Sequence, residues 1–101
     1  MVYSHLGSSH QCTEDIAYTR AIPSLTVVSL ADRFEMAAAM QLAFDVSAPV
    51  YLRMNKSDRG AVHQQAITFK AGQLLPLSAQ PKKIALITTG SMVLQPNKLV
   101  Q

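Results

Sequence analysis

Leu25-Thr26-Val27-Val28-Ser29-Leu30 is an apolar, β-branched run in which only Thr26 and Ser29 are polar, the pattern of a strand covered on both faces. Asp32-Arg33-Phe34-Glu35 follows at once, placing an N-cap carboxylate three residues before a glutamate in the capping-box arrangement. Met36, Ala39, Met40, Ala43 and Phe44 then recur at helical spacing, so a helix running to about Asp45 is expected to bury that stripe. Pro49 opens a second short run, Val50-Tyr51-Leu52-Arg53. Strand, helix and strand at this spacing make a βαβ crossover, which implies parallel pairing and a right-handed connection.

Upstream, Thr13 stands where it can cap a helix whose first turn holds Glu14 and Asp15, and Pro23 ends that helix. Downstream, Asn55 to Gln65 is polar, contains Asp58-Arg59-Gly60 and reads as an exposed linker. Ala66 to Phe69 and Leu74 to Leu77 read as short strands around a turn at Gly72. Ile84 to Thr89 reads as a further buried strand, and Gly90-Ser91 turns it toward a helix near Met92 that Pro96 interrupts.

The 101 residues are 49% hydrophobic and 15% charged, without a low-complexity tract, as expected of an α/β core. A net charge of +3 raises the question of an anionic polymer as partner. The nine basic residues are scattered along the chain, with neither a basic stripe nor interleaved aromatics, which argues against nucleic acid. One cysteine, Cys12, leaves no internal disulfide and fits a reducing compartment, so a cytoplasmic location is expected. No signal-peptide pattern opens the chain, and no apolar run approaches the roughly 20 residues of a membrane span.

Gly7-Ser8-Ser9-His10-Gln11-Cys12-Thr13-Glu14-Asp15-Ile16-Ala17, continuing through Arg20-Ala21-Ile22-Pro23 to Asp32 and Glu35, resembles the pyrimidine-binding region of transketolases. Their segment runs Gly-x-x-His-Gln/His-x-x-Glu-Asp-Ile-Ala-x-x-Arg-x-Ile-Pro-Asn, then an apolar run and Asp-x-x-Glu. Ala48-Pro49-Val50-Tyr51-Leu52-Arg53 looks like the family's Gly-Pro-Val-Tyr-Ile-Arg strand, and Ile84 to Ser91 more weakly like the opening strand of its C-terminal domain. Three positions depart: Leu6 replaces an aspartate that contacts a substrate hydroxyl, Ser24 replaces the usual Asn, and Leu30 a common Pro.

The resemblance implies an α/β fold: a partial parallel sheet with a βαβ crossover, the remnant of a thiamine diphosphate-binding pyrimidine domain, followed by the start of a second α/β domain. On this reading residues 1–56 are the C-terminal part of the pyrimidine-binding domain, 57–82 a linker with short strands, and 83–101 a truncated start of the C-terminal domain. It further implies a fragment of a dimeric enzyme of carbohydrate metabolism, inactive alone, whose intact form moves a two-carbon ketol unit between sugar phosphates. Thiamine diphosphate and Mg²⁺ are the implied cofactors, although the glutamate that protonates the aminopyrimidine and the diphosphate-binding domain have no counterpart in these residues. The partners implied are a sugar-phosphate substrate and a second copy or complementary subunit, with no nucleic acid and no membrane.

Two residues are expected to touch substrate. Arg53 closes a parallel strand, where ligands of open α/β sheets gather and where a guanidinium can hold a phosphate through two parallel hydrogen bonds; the family's matching arginine binds the substrate phosphate. His10 precedes a helix N-terminus, and imidazole can donate or accept a proton there near neutral pH; the family's matching histidine contacts substrate near the cofactor's reactive carbon. The residues themselves also allow a salt-bridged surface arginine and a helix-capping histidine. No catalytic residue, cofactor ligand or metal ligand is assigned: His5, His10 and Cys12 match no zinc spacing, Cys12 lacks a basic neighbour, and no nucleophile elbow occurs. His5 and His63 are expected at the surface.

Deoxyxylulose-phosphate synthase shares the His, Asp-Ile-Ala and Arg-x-Ile-Pro elements, but Gln11 and Glu14 favour the transketolase branch. A decarboxylase subunit of the pyruvate dehydrogenase type shares the implied fold and would carry different residues around His10. The alternative from another class is a small stand-alone α/β interaction module without catalysis, which requires a closed core.

Overall fold

The computed structural model describes residues 12–54, 60–68, 70–77 and 83–94. Its elements run α1 (Asp15–Thr19), β1 (Thr26–Ser29), α2 (Arg33–Asp45), β2 (Val50–Arg53) and a short 3₁₀ helix over Gly90–Leu94. The two strands pair in parallel, with Thr26 opposite Val50 and Ser29 opposite Arg53. The ladder is closed at its ends by Thr26 N–H donating to the Pro49 carbonyl at 3.0 Å and Leu30 N–H to the Arg53 carbonyl at 3.1 Å. This is the α/β crossover that the apolar runs and the capping box predict.

The N-terminus of α2 forms as its sequence requires. Asp32 adopts an extended backbone and its Oδ1 accepts from Phe34 N–H and Glu35 N–H at 2.9 and 3.0 Å. Glu35 reaches back one residue further than the ordinary box, to Ala31 N–H at 2.7 Å. Helix α1 is less regular: its N-cap is Glu14, without a side-chain cap bond, so Thr13 does not take the role expected of it. The helix also ends earlier than Pro23, at Thr19, whose hydroxyl donates back to the Asp15 carbonyl at 2.6 Å. Ser24, after Pro23, sits at φ 63°, in the left-handed region.

Burial differs from expectation in degree. Among the described residues Leu30, Ala39 and Val93 are the buried apolar ones, while both strands are only half-buried. Of the α2 stripe, Ala39 is enclosed but Met40 and Phe44 face solvent, Phe44 at 91% exposure, because within the described residues nothing packs against the outer end of that helix. The expected strands over Ala66 to Phe69 and Leu74 to Leu77 are not formed among the described residues 66–68 and 74–77. Ile84 to Thr89 likewise pairs with no described strand, and its Ile84, Leu86 and Ile87 are exposed. A strand needs a ladder partner, and the apolar run alone supplies none. The turn at Gly72 is present, with φ 79° and a Gln73 N–H to Lys70 carbonyl bond of 3.2 Å. The helix expected near Met92 is the single 3₁₀ segment from Gly90, and Pro96 lies outside the described residues.

Candidate functional site

In a strand, residues two apart share a face, so Tyr51 and Arg53 of β2 present a phenol and a guanidinium side by side. Asp15, in the first turn of α1, meets both. Arg53 Nε donates to Asp15 Oδ2 at 2.7 Å and the Tyr51 hydroxyl donates to the same oxygen at 3.0 Å. Asp15 is 2% exposed, whereas the Arg53 side chain keeps 26% of its surface. The carboxylate is thus enclosed by the contact and the guanidinium bridges from it to solvent.

The Arg53 hydrogen bond holds the Asp15 carboxyl below its ordinary range, against the opposing effect of burial. The same contacts, first of all the hydrogen bond to Asp15, raise the Tyr51 phenol and the Arg53 guanidinium above theirs. Asp15 is therefore ionised and Tyr51 a neutral donor. Arg53 Nη2 also lies 3.4 Å from the Cys12 carbonyl oxygen, a long contact that leans on the same edge of the guanidinium. The opposite end of the fork, including Nη1, has no hydrogen-bond partner among the described residues.

A second cluster ties the crossover helix to the segment after β2. Asp32 Oδ2 accepts Val62 N–H and His63 N–H, each at 2.8 Å, so one carboxylate receives four backbone donors. Burial raises its pKa, but the backbone bonds from His63, Glu35 and Val62 outweigh that and leave it lowered. His63 Nε2 lies 3.1 Å from Glu35 Oε1, with 10% of the histidine side chain exposed. This corrects one expectation, that of His63 at the surface; in the expected linker Gly60, Ala61, Gln64 and Gln65 are exposed, while Val62 and His63 bond to the N-terminus of α2.

Of the two residues expected to bind substrate, Arg53 stands at the carboxyl end of β2 as anticipated, and His10 lies outside the described residues. Asp15 and Tyr51 join this site without having been expected there; the signal for them is the alternation Tyr51-x-Arg53, which puts two donors on one face in need of an acceptor. Among the described residues no three His, Cys, Asp or Glu side chains converge on one point.

Residues 1–60 match the family of the transketolase pyrimidine binding domain. The chain belongs to the transketolase family. Its relatives include a protein of Methanocaldococcus jannaschii named as a transketolase C-terminal section, 32% identical over 86% of this chain and 28% of that protein. They also include 1-deoxy-D-xylulose-5-phosphate synthase of Nitrosospira multiformis, 34% identical over 89% of this chain and 15% of the synthase. A transketolase family protein of Sinorhizobium fredii is 30% identical over 88% of this chain and 26% of its own length. The chain thus spans between about a seventh and a quarter of these relatives. No solved structure matches it. Transketolases generally use thiamine diphosphate, and no helix among the described residues is long and apolar enough to cross a membrane.

Proposed function

We propose that this chain supplies substrate-side residues to a transketolase-type enzyme that moves a two-carbon ketol unit between sugar phosphates. The observation that supports it most is Arg53, held at the carboxyl end of a parallel strand in a pyrimidine-domain crossover, with Nη1 lacking a hydrogen-bond partner among the described residues. A planar guanidinium is matched to a phosphate's two oxygens. His10 is assigned the contact to the sugar end of the same substrate, and residues 57–82 the passage from pyrimidine domain to C-terminal domain. The intact enzyme works as a homodimer or with a complementary subunit, in the cytoplasm.

Thiamine diphosphate, when bound with Mg²⁺, would supply the carbanion chemistry of ketol transfer, with most of its binding groups coming from parts of the enzyme outside this chain. This chain's share is to bind and orient: Arg53 fixes the phosphate end and His10 holds or accepts a proton at a substrate hydroxyl. The chain alone is expected to be inactive. The relatives named as 1-deoxy-D-xylulose-5-phosphate synthase favour a second reading, that synthase's reaction, with Gln11 and Glu14 weighing toward ketol transfer.

Titrating the ¹⁵N-labelled chain with xylulose 5-phosphate and, separately, with xylulose tests this. Saturable shifts at the Arg53 Nε–H and the His10 ring with the phosphate ester, absent with the free sugar, are expected. Equal responses to both, or none to either at millimolar concentration, would refute the substrate assignment.

A further inference from the structure

We infer that Asp32 is a two-sided latch whose sides part unequally: neutralising its carboxylate frees the chain at Val62 and His63 and leaves the cap of α2 closed. The two oxygens hold different things. Oδ1 accepts from Phe34 N–H and Glu35 N–H, two and three residues ahead, at 2.9 and 3.0 Å. Oδ2 accepts from Val62 N–H and His63 N–H, each at 2.8 Å, across 30 and 31 residues of chain. The segment held by Oδ2 follows Gly60, whose φ of 89° and open surroundings suit a pivot. Among the described residues its other polar tie to α2 is the His63 ring, with Nε2 at 3.1 Å from Glu35 Oε1.

An ionised carboxylate has lone pairs enough for four donors, whereas a protonated one keeps one carbonyl oxygen and turns the other into an O–H donor. Two of the four N–H groups then lose their acceptor. The proton settles where that loss is smaller. The cap donors are already fixed by the first turn of α2 and need little further ordering, while the bonds to residues 62 and 63 must hold a long loop closed. Oδ2 therefore takes the proton, and the segment it holds comes away. The charged groups facing Asp32 are Glu35, whose Oε2 accepts Ala31 N–H, and His63 on the segment itself. Arg33, of the same turn, has its guanidinium over the Phe34 ring. Burial raises the Asp32 pKa, but the backbone bonds and the His63 charge outweigh it and leave it lowered. The latch is thus closed above the ordinary carboxylate range and opens as pH falls through the lower folded value.

Asp32→Asn tests the asymmetry at neutral pH, because Asn caps a helix as well as Asp does yet carries a single acceptor oxygen. Amide hydrogen exchange in the full chain is the readout. Protection at Val62 and His63 is expected to fall at least about tenfold in the variant, and that at Phe34 and Glu35 to change by less than about threefold. Equal losses at all four amides, a larger loss at Phe34 and Glu35, or no loss at Val62 and His63 overturns the inference. Should the variant fail to fold, the native chain still decides. Acidified from about pH 6 to about pH 3, it is expected to lose protection at Val62 and His63 as the ¹³C resonance of the Asp32 carboxyl reports protonation. Over that step the Phe34 and Glu35 amides, and those of Thr26 and Leu30 in the strand ladder, are expected to keep theirs. Loss at all these positions in one step, or protection at Val62 and His63 that outlasts protonation of the carboxyl, overturns the proposal.

Discussion

The described residues before Met54 and those after Gly60 are similarly rich in apolar side chains but use them differently. In the first region β1 lies on β2, Leu30 and Ala39 are enclosed, and the buried Asp15 and half-buried Asp32 carboxylates collect polar groups from separate segments, although Met40 and Phe44 stay exposed. In the second, Leu74, Ile84, Leu86 and Ile87 remain in solvent, and Val93 is the buried apolar residue. Hydrophobicity gives a segment the capacity to be buried, but pairing and capping groups decide where it goes. Residues 62 and 63 show this, because their backbone N–H groups and the His63 ring join the first region through Asp32 and Glu35.

The largest expected difference between the regions follows from burial. Leu30→Ala removes a side chain that is 5% exposed and should cost about 3 kcal/mol. Ile84→Ser, at a position 77% exposed, should change stability by less than about 0.5 kcal/mol. Urea unfolding of the two variants measures both, and equal losses would mean that Ile84 is covered in solution.

Next in size is the carboxylate that joins the regions. Asp32→Ala removes the cap of α2 and the acceptor of Val62 and His63, and should cost about 2 kcal/mol. Its pH dependence has a definite sign. Because the folded pKa lies below the ordinary 3.8, Asp32 contributes stability that is present above that value and lost as pH falls through the lower folded value. Native protein should therefore lose stability below about pH 4, and Asp32→Ala should lose less there. An identical acid limb in both would remove Asp32 from the account.

The crossover was legible because every part of it has a local signature: the β-branched runs, the Asp32 and Glu35 spacing, and Pro49 ahead of Val50. The site was legible only in part. Arg53 could be placed from its position after an apolar run, but its partner Asp15 lies 38 residues away and looked like an ordinary first-turn acid. His63 was missed for a related reason, since its polar neighbours suggest a linker while its contact to Glu35 depends on the chain returning to α2. Ile84 to Thr89 misled in the other direction, being strand-like in composition without a described partner.

Glu35→Ala is a smaller probe of the same junction. It deletes the acceptor of Ala31 N–H and the partner of His63, and about 1 kcal/mol is expected. His63→Gln should cost less, because the two backbone bonds from residues 62 and 63 to Asp32 survive it. Hydrogen exchange at the Val62 and His63 amides reads the result directly: they should stay protected in His63→Gln and lose protection in Asp32→Ala. The reverse pattern would place the anchor in the side-chain pair.

A stabilising change is expected inside the first region, at the non-glycine residue that holds a positive φ among the described residues. Ser24 occupies φ 63°, where a Cβ crowds the following carbonyl and most residues other than Gly and Asn are disfavoured. The transketolase pattern has Asn after the Ile-Pro pair, so this chain carries a less suitable residue at the turn that delivers the backbone from α1 into β1. Ser24→Asn should raise stability by about 0.5 kcal/mol. Ser24→Val should lower it by more than 1 kcal/mol, roughly, since a β-branched side chain is worst tolerated there. The two substitutions move in opposite directions only if the left-handed conformation persists in solution, so thermal midpoints shifted the same way would show that the α1–β1 turn takes another backbone path. That turn sets the register between Asp15 and the strand carrying Val27 and Val28, and through the β1–β2 ladder it sets the distance from Asp15 to Arg53. A measurable gain from Asn at residue 24 should therefore be accompanied by slower solvent exchange at Arg53 Nε–H, coupling the smallest change in the fold to the group expected to meet the ligand.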